Sequence, residues 1–124
     1  MDFNLSEQEK MLQSMAKESA AKSVQPRASD IDTTGQFPFD LVKEMGNLGY
    51  QGLPYPAEYG GGGAGYTSYA LVLEQICQAS MTVGAIIAVN TVPEEAVFRF
   101  GNEEQKKTFL TSGSRQIARL YCLY

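Results

Sequence analysis

Six residues in a row, Gly60-Gly61-Gly62-Gly63-Ala64-Gly65, stand directly before a stretch of helical periodicity. Backbone amides at such a junction can cradle a phosphate. The nucleotide mechanism also needs a Gly-Lys-Ser/Thr ending and a preceding apolar strand, and both are missing, so the run reads better as a structural turn. Acids stand side by side as Glu94-Glu95 and Glu103-Glu104. Helical neighbours point about 100° apart and cannot share one substrate atom, so solvated helix ends account for both pairs. Cys77 has no basic neighbour to lower its pKa and reads as a buried, inert thiol. Lys106 and Lys107 read as a solvated face. Gly84, Ala85 and Ala88 form a ridge of small residues with two physical uses: close helix packing, or a slot for a narrow apolar ligand such as an acyl chain. With no histidine in the chain, His-based triads, His-ligated zinc and imidazole acid/base chemistry are excluded. No residue is assigned a catalytic or metal-ligating role.

The elements that must carry these residues follow from pattern and composition. In 124 residues, ten Lys/Arg and fourteen Asp/Glu give a formal charge of −4, and 44% hydrophobic residues suffice for one compact domain with a core. The acidic balance argues against nucleic acid as a partner. The start lacks a basic and apolar leader, and no unbroken apolar run reaches membrane-spanning length; with two distant cysteines, Cys77 and Cys122, the expected home is cytoplasmic. Ser6-Glu7-Gln8-Glu9 has the capping-box form, and Met11, Leu12, Met15, Ala16, Ala20 and Val24 continue from it as an apolar stripe until Pro26. Residues 27–36 read as a connection. A second helix is expected from Pro38 through Leu48, followed by a Gly/Pro-rich loop over 49–65 pinned by Tyr50, Tyr55 and Tyr59. A third helix over 67–80 and a fourth over 81–91 are both expected to be buried, with Pro93 ending or kinking the latter. Asn102 is placed to cap a fifth. The fold class is therefore all-α: a bundle of about five helices with one long loop between the second and third.

Four segments together carry a family resemblance. Phe37-Pro38-Phe39-Asp40-Leu41-Val42 with Met45-Gly46-Asn47-Leu48-Gly49-Tyr50, then Gly52-Leu53-Pro54-Tyr55-Pro56-Ala57-Glu58-Tyr59-Gly60-Gly61, closely resemble the amino-terminal domain of acyl-CoA dehydrogenases. Phe100-Gly101-Asn102-Glu103-Glu104-Gln105-Lys106-Lys107 and the opening Met1-Asp2-Phe3-Asn4-Leu5-Ser6-Glu7-Gln8-Glu9 are similar to two further hallmarks of the family, in its order and spacing. The resemblance covers residues 1–110; residues 111–124 read as a divergent tail where a flavin-binding β-domain would begin. It implies an FAD-dependent oxidoreductase acting on the CH–CH bond of acyl-CoA in fatty acid metabolism, with electron-transfer flavoprotein as acceptor and a homo-oligomer as a possible assembly. The catalytic base and the flavin lie in domains that this sequence lacks. The chain alone is therefore expected to bind no cofactor and to be inactive, as a truncated enzyme. Tyr121 and Leu123 are not assigned as cofactor ligands. By alignment through Asn90 and Phe100-Gly101-Asn102, the resemblance places the substrate-binding pocket floor at Gly84, Ala85 and Ala88. The alternative is a stand-alone helical binding module that keeps the fold without the enzyme.

Overall fold

A computed structural model of the chain describes residues 4–116, with side chains through residue 110. The opening residues Met1 to Phe3 and the tail residues Tyr121, Cys122 and Leu123 lie outside the described residues. Among the described residues every regular element is helical: α1 (Glu7–Ser19), α2 (Ala28–Thr34), α3 (Phe39–Asn47), α4 (Gly65–Ala79), α5 (Met81–Phe100) and α6 (Glu103–Gln116). The chain is all-α, as its periodicities imply.

The capping box at the start of α1 is formed on both sides, with Glu9 N donating to Ser6 Oγ at 3.2 Å and Ser6 N donating to Glu9 Oε2 at 2.7 Å. The buried stripe of α1 is narrower than its apolar pattern. Ala16, Ala20 and Val24 are inside, whereas Met11 and Met15 face solvent. Pro26 does not end the helical path, contrary to expectation. A π-turn over Ala20–Val24 and a 3-10 turn over Gln25–Arg27 re-phase the hydrogen bonds around the proline's missing donor, and α2 follows directly. Residues 27–36 are thus mostly helix rather than connection. Only Ile31 of α2 is buried, so no periodicity marks it, and Gly35 ends it in the left-handed conformation with its amide on Ile31 O.

Pro38 serves as the N-cap residue of α3, whose Leu41, Val42 and Met45 enter the core. The loop after it folds back on itself. The amides of Gly62, Gly63 and Ala64 donate to the carbonyls of Gly52, Tyr55 and Leu53 at 3.0, 2.8 and 2.9 Å. A Cβ on Gly61 would lie 2.1 Å from Tyr55 O, so only glycine lets the two limbs meet. Tyr50, Tyr55 and Tyr59 are all buried, as expected, with hydroxyls on Ser19 Oγ (3.1 Å), Thr91 O (3.3 Å) and Glu103 Oε2 (2.9 Å).

The core joins Ala16, Met45, Tyr50, Tyr69, Ile76 and Ile87 with their neighbours, and α4 lies at its centre between α1 and α5. Where α4 meets α5, a Cβ on Gly84 would lie 2.2 Å from Cys77 Sγ. α5 passes Pro93 without ending and remains one helix of 20 residues, about 30 Å long. α6 packs against α3 and α5. Its Asn102 cap is reciprocal: Gln105 N donates to Asn102 Oδ1 at 2.9 Å, and Asn102 N donates to Gln105 Oε1 at 3.0 Å.

Introducing a methyl group at Gly84 is expected to cost about 1–3 kcal/mol through overpacking against Cys77. Urea unfolding followed by circular dichroism should show this loss for Gly84→Ala. Much of it should be recovered in the Cys77→Ala/Gly84→Ala double variant, where the clashing sulfur is gone; strict additivity would show that the contact is not limiting.

Candidate functional site

The residues singled out by type fall into distinct environments. The glycine run offers no phosphate cradle. The amides of Gly60, Gly61, Gly62, Gly63 and Ala64 are each bonded to a carbonyl within residues 52–57. Five of the six amides of the run are thus taken up by the loop itself.

The small-residue ridge lies on α5. Gly84 is buried against Cys77, Ala88 is half-buried and Ala85 is exposed. Packing therefore accounts for Gly84, while Ala85 and Ala88 lie on the helix's outward side. With 3.6 residues per turn, six apolar residues, Met81, Ala85, Val89, Val92, Ala96 and Phe100, fall within an arc of about 100° that also holds Thr82 and the ion-paired Arg99. All six are exposed, Met81 and Val92 at 70% and Phe100 at 86%. The sequence places this helix in the core, and the structure corrects that reading: one face is buried through Val83, Gly84, Ile87, Asn90 and Glu94, and the other is an uncovered, largely apolar stripe. An apolar composition all round marks a helix that needs cover without saying which part of the chain supplies it. Among the described residues α5 is also the one helix long and apolar enough to cross a membrane, by length and composition alone. A search for unbroken apolar runs passes over it because Glu94 and Glu95 interrupt the pattern.

Those two acids are not solvated helix ends. α5 continues through Pro93, so both sit within the helix and point to different surroundings. Glu94 is 6% exposed, and burial pushes its carboxyl up to about 7. The groups facing it are the phenols of Tyr55 and Tyr69, themselves driven up chiefly by burial and next, for Tyr55, by the nearby acid. Tyr69 shares a hydrogen bond with Thr91 Oγ1, and Tyr55 donates to the Thr91 carbonyl, so both hydroxyls converge on the residue one helical turn before Glu94. Glu95 accepts from the Tyr66 hydroxyl and from Arg99, both of which hold its carboxyl below the usual value. The Tyr66 phenol is pushed up to about 12, by desolvation first and by that hydrogen bond second.

Glu103 is a solvated acid at the start of α6, as expected, but also accepts from Tyr59. Lys106 is not simply a solvated lysine. Its ammonium lies 5.8 Å from the centre of the Phe98 ring, and only Lys107 of the pair is exposed. Cys77 is half-buried rather than fully buried, and that burial still raises its thiol, in keeping with an inert side chain. Among the described residues no cluster of Cys, Asp and Glu is arranged to hold a metal ion. The Glu94 and Tyr66–Glu95–Arg99 groupings are invisible to motif reading, because they join the loop and two helices through long-range contacts.

A family model described as acyl-CoA dehydrogenase, N-terminal domain, matches residues 6–115. The chain belongs to this family. It is 40% identical over 112 residues to a probable acyl-CoA dehydrogenase, YngJ, of Bacillus subtilis, and 37% identical over 111 residues to a short-chain specific acyl-CoA dehydrogenase of Clostridium acetobutylicum. These alignments cover 90% and 89% of this chain but 30% and 29% of the relatives. The structure of butyryl-CoA dehydrogenase from Megasphaera elsdenii superposes with a TM-score of 0.87 at 26% identity, over 93% of this chain and 31% of that one. This acyl-CoA dehydrogenase N-terminal domain thus spans about 30% of the length of the relatives it matches. The family is FAD-dependent. The self-bonded glycine loop does not fit a flavin pyrophosphate, and no flavin step is assigned to the described residues.

The raised phenols are open to direct measurement. In an absorbance titration at 295 nm, Tyr55 should remain un-ionised at pH 11 and ionise only on unfolding. Tyr55→Phe should leave the native step between pH 10 and 11 unchanged and shrink the unfolding step. A smaller native step would show that Tyr55 is solvated.

Proposed function

We propose that this chain is the amino-terminal helical domain of an FAD-dependent acyl-CoA dehydrogenase, and that it supplies one wall of the acyl pocket while the flavin and catalytic base come from outside residues 1–124. The observation that carries this reading is the uncovered, largely apolar face of α5, which bears Ala85 with Ala88 at its edge and a single charged side chain, Arg99, that is paired with Glu95. Small side chains there leave room for an acyl chain, and the larger ones give an adjoining domain something to bury. Gly84 contributes by seating α5 closely against α4, which sets the depth of the ridge. The carboxyl of Glu94 is not a base for this face. Nine residues beyond Ala85, it points about 180° away around the helix.

The assembly that follows is a subunit in which the helical domain, read from the sequence as residues 1–110, extends to the end of α6 at Gln116, and the residues after it lead toward a flavin-binding β-domain. Its substrate is an acyl-CoA, its electrons pass to an electron-transfer flavoprotein, and subunits associate with one another. A cytoplasmic location suits the free thiol of Cys77. Hydride transfer needs a flavin held in line with a positioned base, so the chain by itself is assigned no turnover.

A graft tests this reading. Residues 6–115 replace the matching stretch of the Clostridium acetobutylicum short-chain specific relative. The graft should bind flavin stoichiometrically and reduce a dye with butyryl-CoA. In the same graft, Ala88→Phe should lower kcat/KM for longer acyl chains by roughly tenfold or more, with flavin content unchanged. A flavin-loaded graft without turnover would overturn the proposal, and indifference to Ala88→Phe would overturn the pocket wall.

A further inference from the structure

Helix α5 is held from outside at its weakest turn. Pro93 has no amide hydrogen, so the carbonyl of Val89 lacks its helical partner and the ladder is broken between the part of α5 that bears Ala85 and Ala88 and the part that bears Ala96 and Phe100. Such a break ordinarily lets the two halves of a helix bend, yet α5 runs through it as one element. Thr91 lies inside the broken turn, where two buried tyrosines from different elements grip it. The Tyr69 hydroxyl of α4 is 2.5 Å from Thr91 Oγ1 and 3.5 Å from Ile87 O, and Thr91 Oγ1 is 3.3 Å from the same carbonyl. Two hydroxyl protons thus serve a closed triangle: whichever hydroxyl donates to Ile87 O, the other donates to its fellow. From the 49–65 loop, Tyr55 donates to Thr91 O at 3.3 Å. Side chain and backbone of one residue are therefore fastened to two separate elements.

We propose that Thr91 is a positioning residue: clamped by Tyr69 and Tyr55, it substitutes for the missing rung at Pro93 and fixes the two halves of the exposed face of α5 in one orientation, which sets the acyl-chain length that the face selects. The inference rests on the reading of that face as a wall of the acyl pocket. Ala88 lies three residues before Thr91 and Val92 one residue after it, so both flank the clamp, and Ala96 and Phe100 follow beyond Pro93. A wall held in one orientation along its length discriminates between acyl chains by their length, whereas one whose far half turns freely accepts them more evenly. The hydroxyl is the part of Thr91 that does this on the α4 side. Serine keeps it, and valine keeps the branched shape without it.

Two measurements test the clamp. In the graft of residues 6–115 into the Clostridium acetobutylicum relative, Thr91→Val should flatten the chain-length profile with flavin content unchanged. The ratio of kcat/KM between the best acyl-CoA and one two carbons longer should fall by roughly threefold or more, and Thr91→Ser should keep the original ratio. An equal loss for every acyl-CoA, or a profile that serine flattens as valine does, overturns the positioning role. In the 124-residue chain, hydrogen exchange followed by NMR should show the amides of residues 94–100 exchanging on the order of tenfold faster in Thr91→Val, with those of α1 and α4 unchanged. Tyr69→Phe should give the same pattern, and both substitutions together no more than either alone, since they remove one contact. Even acceleration along the whole chain, or none beyond Pro93, overturns the clamp. A flavin-loaded graft without turnover counts against the acyl wall and leaves the exchange pattern to decide the clamp, so the two readings fail separately.

Discussion

The contact of Gly84 with Cys77 governs how this domain is put together. It brings α5 onto α4 at a distance that no larger side chain allows, and α4 in turn is the helix against which α1 packs. That approach puts Tyr69 within reach of Thr91 and lets Tyr55 of the loop cap the same residue from the other side. It also settles which part of α5 faces outward. Once Val83, Gly84 and Ile87 are turned to the core, the helical repeat leaves Met81, Ala85, Val89, Val92, Ala96 and Phe100 outside. One close contact between two helices therefore sets both the buried polar joint and the exposed, largely apolar stripe.

Much of the architecture is legible in the residues themselves because the signals are local. Ser6 and Glu9 announce the start of α1, Asn102 the start of α6, and the proline and glycine density of 49–65 marks a loop that no regular element can cross. α2 escapes notice for an equally local reason. A helix of seven residues with one buried side chain has no stripe to read, and Pro26 looks like a terminus unless the preceding turn widens to absorb it. The candidate site is less legible. The small-residue pattern shows a ridge but not which members face inward, since Gly84 and Ala85 differ by one step around the helix and end in opposite surroundings.

The adjacent acids make the same point about chemistry. Glu94 and Glu95 share a backbone and an amino-acid type, yet one is driven toward the neutral form by burial and the other is held ionised by Tyr66 and Arg99. Neither environment is written near residue 94. Tyr55 lies 39 positions earlier and Tyr66 lies 29 before Glu95, so only the assembled fold distinguishes the two carboxyls. The helix ran on through Pro93, and that continuity converted an apparent terminus into a partly buried interior.

The folded-back glycine loop restricts how this protein can vary. The amides of residues 61–64 all donate to carbonyls of residues 52–56, and at Gly61 the two limbs leave no space even for a methyl group. Inserting or deleting one residue would throw every later pair out of step and swing Tyr59 off its partner on α6. Although it only connects two helices, this segment is a poor place for length polymorphism.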